Sequence, residues 1–145
     1  MKRILPVVTL SVLMSACASI EEKSASVTVK DLQHHNWELT HIDGELISVP
    51  NKHQKPRLEI GEHFTANGMA GCNNFFGQAA LNESGAFRIE KMGLTRKMCP
   101  EAEMQIEQVM TEALSSWSEI TLTPENLILK SPAHELTLRL RDWVN

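Results

Sequence analysis

Two glycine-rich stretches, each carrying one cysteine, restrict this chain more than any other feature. They are Gly68-Met69-Ala70-Gly71-Cys72-Asn73-Asn74-Phe75-Phe76-Gly77 and Gly93-Leu94-Thr95-Arg96-Lys97-Met98-Cys99-Pro100. Their glycines and asparagines suit bulges and tight turns. A bond between Cys72 and Cys99 would oblige any fold to bring the two stretches together. Whether such a bond forms depends on the compartment in which the chain folds.

The first residues give an address. Lys2 and Arg3 form a cationic start, Ile4 to Met14 an apolar run broken by Pro6, and Ser15-Ala16-Cys17 a small-residue cleavage site, the pattern of a secretory signal peptide. The run is too short for a membrane span, which takes roughly 20 apolar residues. Leu13-Met14-Ser15-Ala16-Cys17 resembles a bacterial lipobox, which would make residues 1–16 a lipoprotein signal peptide and leave lipid on Cys17. An ordinary cut after Ala18, discarding the cysteine, is the competing reading. Several acyl chains on Cys17 would hold a soluble domain at the membrane, where one chain alone binds only marginally. Ala18 stands where an aspartate would mark inner-membrane retention. The expected place is therefore the bacterial envelope, on the outer membrane facing the periplasm.

In that oxidising setting Cys72 and Cys99 remain as an even pair, and a disulfide is the expected state. Closing a loop of about 28 residues contributes roughly 3 to 4 kcal/mol in the chain-entropy model. A redox pair, which lacks C-x-x-C spacing, and two free thiols are the alternatives. No close Cys or His partners complete a tetrahedral shell, so no metal is expected.

Removing residues 1–16 takes Lys2 and Arg3 from the 14 basic residues and none of the 18 acidic ones, leaving a net charge of −6. The remaining cations are scattered without interleaved aromatics, which argues against nucleic acid. Residues 17–145 suffice for one domain. Residues 17–30 are small and polar and read as a flexible tether, with folding expected to start near Asp31 and to occupy 31–145.

Short alternating runs follow. Asn36-Trp37-Glu38-Leu39-Thr40 leads to an Asp43-Gly44 hairpin turn, and Leu58 and Ile60 alternate before Gly61. Phe64 to Ala70 reads as a strand interrupted at Asn67-Gly68, and Phe75–Leu81 and Ala86–Ile89 flank an Asn82–Gly85 turn. From Pro100 to Trp117 the period changes: Ile106, Val109, Met110, Ala113, Leu114 and Trp117 share one helical face. Pro100 suits the first turn, and Glu101 and Glu103 complement the positive end of the helix dipole. That methionine-bearing face is expected to meet the core rather than a partner. Three more alternating runs, at 120–122, 127–129 and 136–140, complete the pattern. The fold class expected is α+β, mainly antiparallel β, a compact sheet or partly closed barrel with one amphipathic helix, about 100–117, packed across it.

The motif Gly68-x-x-Gly71-Cys72-Asn73-x-Phe75-x-Gly77, then Leu94-Thr95-x-x-x-Cys99-Pro100, the helix, and Trp37-Glu38-Leu39 near the domain start resemble the META domain of the HslJ heat-inducible family over roughly residues 31–141. The resemblance implies a small envelope protein or lipoprotein linked to heat stress and, in the name-giving member, to novobiocin resistance, with no established reaction. It supplies no catalytic residue and no cofactor. Gly68, Gly71, Asn73, Gly77, Thr95 and Pro100 are read as structural; Asn73, Asn74, Phe75 and Phe76 are the candidate recognition surface, with adjacent phenylalanines on opposite faces of a strand.

Chemistry is otherwise thin. His34, His35, His41, His53, His63 and His134 are scattered, Ser115-Ser116 lacks a nucleophile elbow, and no glycine-rich phosphate loop precedes a helix. The leading expectation is a non-catalytic stress lipoprotein that touches the membrane through Cys17 and binds an envelope protein. A binder of a small apolar ligand or drug is the alternative, and a thiol-redox protein or enzyme ranks below it.

Overall fold

The computed structural model describes residues 26–49 and 54–142. The signal peptide, the lipobox at Cys17 and most of the expected tether lie outside them. Among the described residues a short helix, α1 (Val29–Leu32), precedes nine strands: β1 (His35–Ile42), β2 (Glu45–Leu46), β3 (Arg57–Ile60), β4 (Thr65–Met69), β5 (Asn74–Leu81), β6 (Phe87–Leu94), β7 (Glu119–Leu122), β8 (Asn126–Lys130) and β9 (Glu135–Leu140). The main helix, α2 (Glu101–Ser115), falls between β6 and β7. Order begins earlier than Asp31: Thr28 and Asp31 form a reciprocal cap on α1, and Val27 packs against the core.

Every strand pairing is antiparallel, in the order β6-β5-β4-β3-β1-β9-β8-β7, with β2 beside β1. Alternation explains the curl. Trp37 and Leu39, Leu58 and Ile60, Phe75 and Ala79, Phe87 and Ile89, Leu127 and Leu129, and Leu136 and Leu138 all point inward and are buried. The two ends of the sheet then meet at one bridge, where the Phe87 N–H donates to Ser118 O at 2.8 Å and the Ser118 N–H to Phe87 O at 2.9 Å. The result is a half-barrel, tied at one corner, with α2 lying against β6 and touching β9. Met110, Ala113 and Leu114 of α2 complete the core.

Three expectations are corrected in detail. β4 runs unbroken through Asn67-Gly68, because Gly68 is a packing device: a Cβ there would sit 1.9 Å from the Arg57 carbonyl oxygen and 2.8 Å from the Phe75 ring. β6 continues past Ile89 to Leu94, absorbing a bulge opposite Gly77 in which Lys91 has φ +52°. The helix stops at Ser115, and Trp117 leaves its apolar face to stack under the Arg88 guanidinium at 4.2 Å.

The Asp43-Gly44 hairpin forms as expected, both residues at positive φ. Asp43 also accepts the Glu135 N–H and pairs with His134, both at 2.8 Å, which ties this turn to the start of β9. The Glu135 N–H first, then the His134 contact, lower the Asp43 pKa below 3.8. A carboxylate depressed in this way stabilises the fold above its unfolded value and loses that contribution as pH falls through the folded one. Following the Asp43 carboxyl carbon by NMR should give a midpoint below 3.8, and a midpoint at or above 3.8 would contradict these contacts.

Candidate functional site

The two cysteine-bearing stretches meet beside the first turns of α2. The sulfurs of Cys72 and Cys99 are bonded, with their Cα atoms 5.9 Å apart. Between β4 and β5 the chain makes a tight loop in which the Ala70 N–H donates to Asn73 O at 2.8 Å. Gly71 lies in that loop at φ +135°, pressed so close to α2 that a Cβ would stand 2.6 Å from Glu103 O. Only glycine meets both demands.

Glu107 of α2 holds this loop from below. Its Oε2 accepts the backbone N–H groups of Cys72, at 3.2 Å, and Asn73, at 2.5 Å, while Oε1 accepts the Asn73 Nδ2 at 2.9 Å. Asn73 passes the constraint on to the second stretch. Its Oδ1 accepts the Lys97 N–H at 2.6 Å and the Thr95 hydroxyl at 3.0 Å, and its Nδ2 also donates to Lys97 O at 3.2 Å. Thr95 Oγ1 accepts the Asn74 N–H at 3.1 Å, and the Thr95 N–H donates to Asn74 O at 3.0 Å. Each Glu107 oxygen is engaged, and the Thr95 hydroxyl both donates and accepts within the cluster. The cluster is equipped to hold backbone in place rather than to transfer a proton.

Above this clasp runs a groove of about 990 Å³, between the end of β6 with its continuation to Met98 on one side and α2 on the other. Met92, Leu94, Met98 and Met104 line it, with Arg96 and Lys97 at its rim; Met98 is 92% exposed. Thioether side chains give such a surface adaptable apolar contact. The interior of the half-barrel, by contrast, is filled by Trp37, Phe75, Phe87, Met110 and Leu114.

The candidate recognition residues do not come together. Asn73 is 3% exposed and spent in the clasp, and Phe75 is buried in the core. Asn74 and Phe76 face solvent, Phe76 at 61% exposure with its ring lying over Gly93. Strand alternation sends Phe76 to the side away from Phe75, and neither Asn74 nor Phe76 lines the groove. Thr95 belongs to the clasp, and Pro100 stands at the N-cap of α2, accepting the Met104 N–H at 3.2 Å.

Sequence reasoning missed Glu107 and the groove methionines. Glu103, expected to serve the helix dipole, is only 9% exposed, and its Oε2 has no hydrogen-bond partner among the described residues. The signal was present: Glu103 and Glu107 share the helical stripe of Met110 and Leu114, where two acids interrupt an otherwise apolar face.

The META domain family model matches residues 30–143. Heat shock protein HslJ of Escherichia coli (strain K12) is 30% identical over 146 residues, covering 100% of both chains. One solved NMR structure superposes with a TM-score of 0.70 at 28% identity, covering 82% of this chain and 99% of its own. Another, from Burkholderia xenovorans, gives 0.64 at 25% identity, covering 79% and 86%.

Proposed function

This chain belongs to the META domain family, and from that premise we propose that it is a non-catalytic lipoprotein of the bacterial envelope, anchored through Cys17, that acts in heat or novobiocin-type stress by binding another envelope protein. The observation that carries the reading is the methionine-lined groove between α2 and the continuation of β6, two elements that the clasp links by hydrogen bonds. An adaptable apolar surface on a hydrogen-bonded frame suits protein contact. The family membership and the heat-shock name of the relative from Escherichia coli support the stress association.

A photo-crosslinking residue at Met98 should capture a discrete partner in heat-stressed cells, whereas the same residue at the exposed turn position Glu83 should not. Equal capture from both positions would sink the protein-binding reading. The groove volume and its methionines also favour a second reading, a small apolar ligand or drug. Novobiocin titration followed by the methyl signals of Met92 and Met104 tests it, and unmoved signals at saturating drug would count against that ligand.

A further inference from the structure

We infer that the groove takes its partner as an extended segment, which adds a strand to the outer edge of β6 and its continuation, with apolar side chains at alternate positions against the methionines and an acidic residue near Arg96. The inference rests on reading the groove as a protein-binding surface and specifies how the partner binds.

The backbone carries it. The Thr95 N–H donates to Asn74 O, and Leu94 stands opposite Phe75, so Leu94 belongs to a pair whose own N–H and C=O face away from β5. Lys97 then turns both its N–H and its C=O to Asn73, and the alternation set by Thr95 and Lys97 assigns those of Arg96 to the opposite edge. Asn73 thus extends the strand beyond β6 by acting as its neighbour through a side chain. Phe87 is the one outward-facing residue of β6 with a strand-type partner among the described residues, bonding to Ser118. The outward groups of Leu94 and Arg96 have no protein partner among the described residues and lie on the edge that borders the groove.

An open sheet edge is a template for another strand. A helix laid in the same groove would cover these groups without supplying hydrogen-bond partners, and burying them unpaired costs about 1 to 3 kcal/mol each. An extended segment supplies both a donor and an acceptor, while α2 forms the opposite wall through Met104, Gln105 and Gln108. Charge sets the polarity of the occupant: on the strand side of the groove neither Arg96 nor Lys97 has an ion-pair partner among the described residues, while Glu101 lines the helix side, so an acid is favoured beside Arg96 and away from α2.

Selection of a random twelve-residue peptide library on the purified full chain provides the probe. Enriched peptides should alternate apolar and polar residues and carry an acid, and binding should slow amide exchange at Leu94 and Arg96. Methylating the peptide amides on the edge facing β6 should weaken binding about tenfold per lost bond, while methylating the opposite edge should do less. Arg96→Glu should weaken the acidic peptides about tenfold without shifting the unfolding midpoint. Peptides indifferent to methylation, helical peptides, or unchanged exchange at both amides would overturn the inference. So would light scattering that shows a dimer of this chain together with slowed exchange of the same two amides in that dimer. If crosslinking from Met98 captures a partner while these peptide results fail, protein binding stands and strand addition falls; failure of both removes both.

Discussion

Replacing Glu107 by alanine should lower the unfolding free energy by about 4 kcal/mol, a large part of the 5 to 15 kcal/mol typical of a single domain. The carboxylate is 8% exposed and is the acceptor for three donors: the Cys72 and Asn73 N–H groups and the Asn73 side-chain amide. Truncation orphans all three at once. Each buried donor left unpaired costs about 1 to 3 kcal/mol, and the total falls short of the simple sum because neighbouring losses overlap and water enters the space. Glu107→Gln separates charge and geometry from bulk. It keeps one acceptor oxygen but turns an NH₂ group toward donors, so its loss should fall between wild type and alanine, at about 2 to 3 kcal/mol. Urea unfolding at neutral pH provides the measurement. A cost below about 1 kcal/mol for Glu107→Ala would mean that the loop holds itself without the helix. The variant should also speed amide exchange at Asn73 and Lys97, because Asn73 links Glu107 to the Lys97 N–H in the chain of hydrogen bonds.

The same geometry explains which parts of the molecule could be read from the sequence. Period-two runs such as Trp37 and Leu39 or Leu136 and Leu138 announce strands with one buried face, and the half-barrel follows because every such face needs the same core. The stripe of Met110, Ala113 and Leu114 announces the helix in the same way. Gly68 misleads because sequence offers no view of Phe75, whose ring fills the space that the glycine leaves; what looks like a break in a strand is a fitted contact between two strands. Phe75 and Phe76 divide between the faces as alternation requires, but which one faces inward depends on register, and register is set by pairings with Gly68 and Asn67 that lie in another strand. The clasp is harder still. Asn73, Thr95 and Glu107 lie far apart in the chain, and each has a local reading as a turn residue, a strand residue or a solvated helix residue. Only the bond between Cys72 and Cys99, deducible from compartment and count, hinted that these segments meet.

Loss of that bond, in a chain carrying Cys72→Ala and Cys99→Ala, should cost about 3 to 4 kcal/mol, chiefly by freeing the unfolded chain across a sequence separation of 27 residues. The prediction for the native state is different: it should change little. Glu107, Asn73 and Thr95 hold the same two stretches together without help from sulfur, so the variant should keep the chemical shifts of the Asn73 and Thr95 amides while unfolding at lower urea. Disulfide and hydrogen-bond cluster nevertheless share the Cys72 backbone, since its N–H lies on Glu107. Adding Glu107→Ala to the double-cysteine variant should therefore be non-additive, with a coupling of about 0.5 to 3 kcal/mol. The two constraints act on opposite sides of the folding equilibrium, one limiting the unfolded ensemble and the other pairing buried groups in the folded one. Strict additivity would show that the loop keeps its place even when both Glu107 and the cross-link are gone. A cysteine-free chain with displaced Asn73 and Thr95 amides would show instead that the disulfide positions the native loop as well as restricting the unfolded chain.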